Sequence, residues 1–245
     1  MANDNVKLDL MLRSILSVAN EDQNFFYSPK IYSDQYNAVT GLLLSELCKV
    51  FPSRQDLFDM IFPFMETQVI MVKNGYIELP DNYRNLLGSP SISVRPDGSS
   101  LCDKPIIIDT ESEFKVANLK GGCKSRPVKM VPISEWDYLT SSTYNFPTYN
   151  DPIGCFFSTK RFKVCPYDIG KVEVRYARQE KKVLYNYISQ PDDTFLFNPI
   201  GSEESEWTNA AFTPLFNGLV TLYSAYAKDN ELTNWAVILS QKGIL

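Results

Sequence analysis

The 245-residue sequence contains no histidine. This absence excludes Ser-His-Asp and Cys-His catalytic systems, imidazole bases, and nearly all zinc and non-haem iron sites. Glycine-rich phosphate loops, GxSxG, HExxH and EF-hand patterns are missing as well. A glycosidase that works through two carboxylates needs no histidine and stays open as an alternative. We nevertheless predict that the protein is not an enzyme and has neither a cofactor nor a metal site.

The sequence also lacks an apolar run of the roughly 20 residues that a membrane crossing requires. The N-terminal MANDNVKLDL does not have the basic-then-apolar order of a secretory signal. We therefore expect no membrane span and a soluble protein inside the cell that makes it. Because the five cysteines form no CxxC pair, we expect reduced packing residues rather than disulfides or zinc ligands. These cysteines are Cys48, Cys102, Cys123, Cys155 and Cys165.

Apolar residues recur at helical spacing near both ends of the chain. One stripe runs from Leu8 to Ala19, and a second runs from Tyr36 to Val50, beginning after Ser33. Toward the C-terminus, a stripe from Ala211 to Tyr226 is followed by another from Leu232 to Leu239. These patterns predict helices at both ends.

The middle of the chain indicates short strands separated by turn residues. Two apolar runs flank Asn74-Gly75, the preferred residue pair for a type I′ hairpin turn. Pro and Gly signals separate the further candidate strands. These are Ser91–Arg95, Pro105–Asp109, Pro127–Val131, Cys155–Ser158, Phe162–Cys165, Lys171–Ala177 and Val183–Ile188.

Together these segments predict an α+β fold in which terminal helices pack as a bundle and a large, mostly antiparallel β insertion lies between them. The predicted boundaries give an N-terminal helical part at 1–66, a β-rich inserted region at 67–204, and C-terminal helices at 205–245. Since the C-terminal helices are expected to pack on the N-terminal ones, this is one composite domain plus an insertion.

The formal net charge of −5 hides an uneven distribution. Residues 115–182 carry 13 Lys and Arg against six Asp and Glu, and the rest of the chain carries 11 against 23. Three interpretations are open: solvated surface charge without a partner, contact with nucleic acid, and pairing of basic and acidic faces between copies. A sequence pI near 4.9 favours self-association. The candidate basic face comprises Lys120, Lys124, Arg126, Lys129, Lys160, Arg161 and Lys163.

Residues 135–154 read EWDYLTSSTYNFPTYNDPIG, an aromatic and proline-rich stretch. Ser134 is placed to cap a helical turn, and Pro147 and Pro152 exclude a long helix, so we expect a turn followed by an extended loop. A solvated linker would not carry this many rings. The rings therefore pack either on the protein's own core or on a partner. They are Trp136, Tyr138, Tyr144, Phe146 and Tyr149.

Three stretches of this chain carry a resemblance to a known group of proteins. They are GYIELPDNYRNL at 75–86, VPISEWDYLTSSTYNFPTYNDPIG at 131–154, and SEWTNAAFTPLFNGLVTLYSAYAKDNELTNWA at 205–236. In these stretches, and in the order helix, β insertion, helix, the chain resembles the head-to-tail connector proteins of tailed bacteriophages. These adaptor or neck ring proteins are found in crAss-like and other phages that infect Bacteroidetes.

The resemblance implies a structural protein of the virion that forms a ring of about a dozen copies beneath the portal, through which the genome passes. Its implied partners are other copies of itself, the portal protein, neighbouring neck or tail proteins, and, without sequence specificity, the genome DNA. The implied location is the neck of the virion, and the host cytoplasm during assembly. Under this hypothesis the five rings of the aromatic stretch anchor the contact between subunits. A tail-associated module, or a nucleic-acid-binding module that uses residues 115–182, is the alternative.

Overall fold

The computed structural model describes residues 6–18, 28–51, 53–54, 57–95, 101, 124–189 and 195–227. The chain divides into two compact units. The first, here called the helical unit, combines Met1–Phe64 with Gln179–Leu245. The second, here called the sheet unit, is the continuous segment Met65–Arg178.

The described part of the helical unit contains four α-helices and one pair of strands. Two 3₁₀ turns, at Phe62–Phe64 and Asn209–Ala211, each adjoin one of the helices. The helices are α1 (Leu8–Val18), α2 (Pro29–Val50), α3 (Phe58–Ile61) and, later in the chain, α5 (Phe212–Ala227). The strands, numbered by their order in the whole chain, are β10 (Tyr187–Ser189) and β11 (Phe195–Phe197), which pair antiparallel.

Helix α2 begins earlier than the sequence predicts. Ser28 is its N-cap, with its Oγ accepting a hydrogen bond from the Ile31 N–H at 3.3 Å, and Pro29 occupies the first turn, where its missing N–H costs nothing. The predicted start after Ser33 is wrong, because Ser33 lies inside the helix and its hydroxyl donates to the Pro29 carbonyl. The helix therefore has 22 residues and a long buried stripe.

Helices α2 and α5 approach each other closely at a glycine. A Cβ added to Gly218 would lie 2.7 Å from Cγ1 of Val39, which is inside van der Waals contact. Leu215, Leu219 and Val220 are buried around this position. The absence of a side chain at residue 218 thus lets the two helices pack against each other.

The extended segment at residues 182–186 lies against α2, whose side chains hold one edge of it, while Leu184 forms an isolated antiparallel bridge with Glu203. The Asn37 amide donates to the carbonyl of Val183 at 3.0 Å and accepts from its N–H at 2.8 Å. One turn earlier in α2, Ser33 Oγ accepts from the Tyr185 N–H at 3.0 Å. These polar side chains satisfy backbone groups that would otherwise be buried without partners.

The sheet unit is built from nine strands and one helix among its described residues. The five-stranded sheet has the order β1-β9-β4-β5, with β3 also paired to β9, and the four-stranded sheet has the order β2-β8-β7-β6. The strands are β1 (Met65–Met71), β2 (Tyr76–Glu78), β3 (Tyr83–Leu86), β4 (Ser91–Val94), β5 (Lys124–Pro127), β6 (Lys129–Met130), β7 (Ile153–Ser158), β8 (Arg161–Cys165) and β9 (Lys171–Arg178). The helix is α4 (Ile133–Ser141).

Both sheets contribute to one hydrophobic core. On β9, Val172, Val174 and Tyr176 are buried, while the alternating Lys171 and Arg175 are exposed, which is the period of a strand with one buried face. The cluster also contains residues from β2, β4 and β8 together with Val128, which links β5 to β6. These are Ile77, Ile92, Val94, Phe162 and Val164.

The predicted type I′ turn at Asn74-Gly75 is confirmed. Both residues have positive φ, at 53° and 75°, and Lys73 and Tyr76 exchange backbone hydrogen bonds of 2.9 Å across the turn. The two strands separate directly after this bridge, because β1 pairs with β9 and β2 pairs with β8. The turn therefore connects the two sheets of the unit.

The predicted architecture, a bundle of terminal helices with a β insertion between them, is wrong. Helices occur at both ends and in the middle of the chain, since α4 lies within the sheet unit, so the fold is only broadly α+β with mostly antiparallel sheets. The helical unit also contains β10 and β11 and the extended segment held by α2. The predicted strand at Val183–Ile188 is wrong for most of its length, because only Tyr187 and Ile188 lie in a strand and Leu184 forms an isolated bridge. The hydrogen bonds of Asn37 and Ser33 hold this segment to α2, and residues 179–204 belong with the helices.

Several sequence predictions fall on residues outside the described ones. They are the strand at Pro105–Asp109, the helix through Leu232 and Leu239, and the packing roles of Cys102 and Cys123. The packing role is confirmed for the other three cysteines, because Cys48, Cys155 and Cys165 are buried.

Replacing Asn37 by alanine should lower the free energy of unfolding by about 1–3 kcal/mol, because both backbone groups of Val183 lose their partner. Asp34→Ala is the matched control, since Asp34 is exposed on the same helix and has a similar helix propensity. Urea unfolding followed by circular dichroism measures both variants. Equal stability of the two variants would contradict the role given to Asn37.

Stability should also fall at alkaline pH through Tyr176. Burial, together with the hydrogen bond that Tyr176 donates to Glu66 at 2.6 Å, raises the pKa of this tyrosine from 10.0 to about 12. The folded state thus holds the phenol proton more tightly, and its stabilisation is present below about pH 10 and is lost as the pH rises toward 12.

Tyr176→Phe should be less stable than the parent by about 1 kcal/mol at pH 8, and the difference should shrink between about pH 10 and 12. Denaturant unfolding at several pH values measures this difference. The exposed Tyr138→Phe should match the parent throughout, and a constant deficit for Tyr176→Phe would refute the explanation.

Candidate subunit interface

Helix α4 carries the first rings of the aromatic stretch. Its N-cap is Pro132, which makes no side-chain capping bond, so the predicted cap at Ser134 is wrong and that residue lies within the first turn. Near the other end, the Thr140 hydroxyl donates to the Trp136 carbonyl at 2.8 Å and the Ser141 hydroxyl donates to the Tyr138 carbonyl at 3.2 Å. Hydroxyls that bond back to the helix in this way favour its termination.

Trp136 fixes α4 to the four-stranded sheet. The indole is only 2% exposed and packs in a small core with Val131, Ile153, Cys155 and Cys165. It also makes an edge-to-face contact with Phe157, with ring centroids 6.1 Å apart. Burial raises the pKa of the Cys165 thiol to about 11, as expected for a packing residue. Trp136 therefore has almost no surface left for a partner.

Residues 142–152, here called the aromatic loop, are anchored to the sheet unit. The Ser142 hydroxyl accepts from the Asn145 N–H at 3.0 Å, and Pro147 is buried. Tyr149 packs against the core between the sheets and donates its hydroxyl proton to the Asp168 carboxylate. That hydrogen bond is the main cause of the raised pKa of Tyr149. The loop thus has a fixed path despite its lack of regular structure.

The remaining three rings point into solvent. Tyr144 is 98% exposed, Tyr138 is 67% exposed, and Phe146 is 44% exposed. The five rings that the sequence grouped together are therefore divided. Trp136 and Tyr149 hold the segment on its own unit, and Tyr138, Tyr144 and Phe146 are left exposed.

The candidate basic face is divided between the two sheets. Lys124 and Arg126 lie on β5 of the five-stranded sheet, and Lys129 lies on β6 of the four-stranded sheet. Lys124 and Lys129 are exposed, whereas Arg126 is half-buried. Lys120 lies outside the described residues.

The other three basic residues of this set have partners within the sheet unit. Lys160 forms an ion pair with Asp81 at 3.1 Å, and Arg161 forms one with Glu78 at 2.5 Å. The Lys163 ammonium lies over the rings of Tyr76 and Phe157, at 4.7 Å and 4.5 Å from their centroids. These contacts reduce the positive charge that the three residues present to an external anion.

A groove beside the Asn74-Gly75 turn escaped the sequence analysis. It has a volume of about 790 Å³, and its lining includes Ile70, Met71, Lys73, Tyr76, Phe157 and Arg161. The adjacent Phe156 and Phe157 were a usable signal, because neighbouring side chains of a strand point to opposite faces and one ring had to face outward. We call this feature the aromatic groove.

The charge difference between the two units is smaller than the one between residues 115–182 and the rest of the chain. Residues 65–178 carry 15 Lys and Arg against 13 Asp and Glu, while the remaining residues carry nine against 16. The two units thus keep opposite signs, but the excess positive charge of the sheet unit is much smaller than that of residues 115–182. The sheet unit has the smaller excess of positive charge partly because it includes the acidic residues on β1 and β2 and in the turns around them.

Neither chemistry nor similarity assigns a function to these surfaces. Among the described residues, no cluster of Cys, Asp and Glu side chains could hold a metal ion. No helix in the described part of the chain has both the length and the apolar character that a membrane crossing requires. The sequence matches no protein-family model, and no curated protein is significantly similar to it.

Trp136→Ala should lower the stability of the protein strongly, whereas Tyr144→Ala should leave it almost unchanged. The first removes a buried ring from a small core and should cost about 3–5 kcal/mol, whereas the second changes an exposed side chain and should stay within about 0.5 kcal/mol. Thermal unfolding of both variants measures this difference. A loss of stability in Tyr144→Ala as large as in Trp136→Ala would show that the aromatic loop belongs to the core.

Proposed function

We propose that this protein is a structural component of a tailed-bacteriophage particle that forms a ring in the head-to-tail connector beneath the portal. In this role it joins head to tail, lets the genome pass, and performs no catalysis. Its partners are other copies of itself, the portal protein, and neighbouring neck or tail proteins. It acts in the virion neck after assembly in the host cytoplasm.

The observation that carries this proposal is the anchored aromatic loop. Tyr144 and Phe146 are exposed although the loop that bears them is fixed by Pro147 and by the bond from Tyr149 to Asp168. Exposed aromatic side chains are typical of surfaces that bind other proteins, since one ring supplies a large contact area. A loop that is already ordered loses little conformational entropy on binding.

The charge of the two units supports contacts between copies. The helical unit carries nine basic and 16 acidic residues, and the sheet unit carries 15 and 13. Surfaces of opposite sign on one chain favour a head-to-tail contact, which closes into a ring when the rotation between neighbours permits.

Nucleic-acid binding remains the second candidate, through the sheet unit. Lys124 and Lys129 are exposed, and phosphate contacts need no base-specific geometry. Lys160, Arg161 and Lys163 favour the structural role instead, because each already contacts an acid or a ring of its own unit.

Purified phage particles should contain about a dozen copies of this chain, the number expected of one closed neck ring. Quantitative mass spectrometry against isotope-labelled peptides, scaled to the major capsid protein, measures the copy number. The portal protein of the same particles is the internal control for a single ring. Hundreds of copies would point to a capsid or tail-tube protein, and absence from the particle would overturn the proposal.

A further inference from the structure

The aromatic groove is lined by apolar side chains that stay partly exposed among the described residues, although the Lys163 ammonium lies over two of its rings. Met71 is 56% exposed, and Tyr76 and Phe157 are both more than one-third exposed. The volume of about 790 Å³ accommodates several side chains. Phe157, one of the lining residues, also contacts the buried Trp136, which connects this side of the groove to the small core around that indole.

The aromatic loop of the same chain does not fill this groove. Tyr144 is almost completely exposed, and the loop is held in place by Pro147 and Tyr149. The sheet unit thus carries an exposed apolar projection and an apolar recess that this projection does not fill.

The charges around the two features are complementary. Residues 131–159 contain Glu135, Asp137 and Asp151 but no Lys or Arg. The groove has Lys73 and Arg161 in its lining and Lys163 beside it, against the single acid Glu78. Asp137 already interacts with Lys163 of its own chain, so the recess carries a net charge of +1 when Asp137 is counted with it. The exposed Glu135 and Asp151 of one copy would then meet this positive recess of the next, which favours this pairing over a random one.

We propose that the aromatic loop of one copy inserts Tyr144 and Phe146 into the aromatic groove of the next copy. Rings from the loop then contact the exposed parts of Tyr76 and Phe157 that the Lys163 ammonium leaves open, and Met71 provides a sulfur contact at the edge. The projection and the recess are different surfaces of the chain, so the contact is heterologous and repeats around a ring. This inference rests on the proposed function and specifies the contact that the ring would use.

Photo-crosslinking of the full chain tests the pairing. Benzoylphenylalanine replaces Tyr144, and the protein is mixed at high concentration with an equal amount of isotope-labelled unmodified chain. Mass spectrometry should find crosslinks between labelled and unlabelled chains that map to residues 70–78 and 157–161. The same photo-reactive residue at the exposed Ile200, which belongs to the helical unit, is the matched control and should give none at these positions.

A double-mutant cycle adds an energetic test. Tyr144→Ala and Met71→Ala change exposed side chains and should leave the fold intact, yet each should weaken self-association about tenfold in sedimentation equilibrium. If the two side chains share one contact, the double variant should be little weaker than either single variant. Independent, multiplying effects would overturn the pairing of loop and groove.

The other outcomes distinguish the inference from the proposed function. Self-association with crosslinks that map elsewhere would overturn the loop-to-groove contact and leave a ring protein intact. A chain that gives no crosslink between copies at any concentration would overturn the contact, while the copy number in particles would still decide the function. A labelled single-stranded DNA oligonucleotide that binds the groove and is weakened by Lys73→Ala would replace the proposal with a nucleic-acid site.

Discussion

The antiparallel ladder between β1 and β9 is the constraint on which the organisation of the chain depends. Met65 lies opposite Ala177, and the pairing continues over seven residue pairs to Met71 and Lys171. The first and last strands of the sheet unit are therefore neighbours, so the chain leaves the helical unit and returns to it side by side. Because the two ends of the sheet unit are adjacent, the chain segments on either side of it start close together, which limits the entropic cost of bringing them into one unit.

In the segment that follows β9, backbone N–H and C=O groups need hydrogen-bond partners of the kind that a neighbouring strand supplies in an ordinary sheet. Asn37 and Ser33 of α2 provide them through bonds to Val183 and Tyr185. The Tyr36 hydroxyl extends the same arrangement by donating to Ser205 at 2.7 Å, and burial raises the pKa of that tyrosine. Polar side chains on one helix thus decide which part of the chain belongs to the helical unit, and the same bonds make these positions intolerant of apolar replacements.

The surface of the sheet unit combines order with exposed apolar area. Trp136 ties α4 to the sheet, Tyr149 ties the aromatic loop to the core, and both residues leave neighbouring rings in solvent. One segment thus contains both packed rings, which hold it in place, and exposed rings, which are available for binding. This supports the proposed assembly role, because exposed rings on an ordered loop provide contact area without the entropic cost of ordering that loop. The aromatic groove provides a recess of the corresponding character on the same unit.

Local pattern by itself determined the Asn74-Gly75 turn, the strands β4, β7, β8 and β9, and the stripe of α5, since each depends on neighbouring residues alone. It also excluded histidine chemistry. Only the tertiary structure decided that α2 begins at Pro29, that α4 is packed by Trp136, and that Lys160 and Arg161 are paired with acids about 80 positions earlier. An aromatic ring has the same sequence signature whether it is buried or exposed, and a basic residue has the same signature with or without a partner. Their environments are set by strands that are distant in sequence and become neighbours only in the folded sheets.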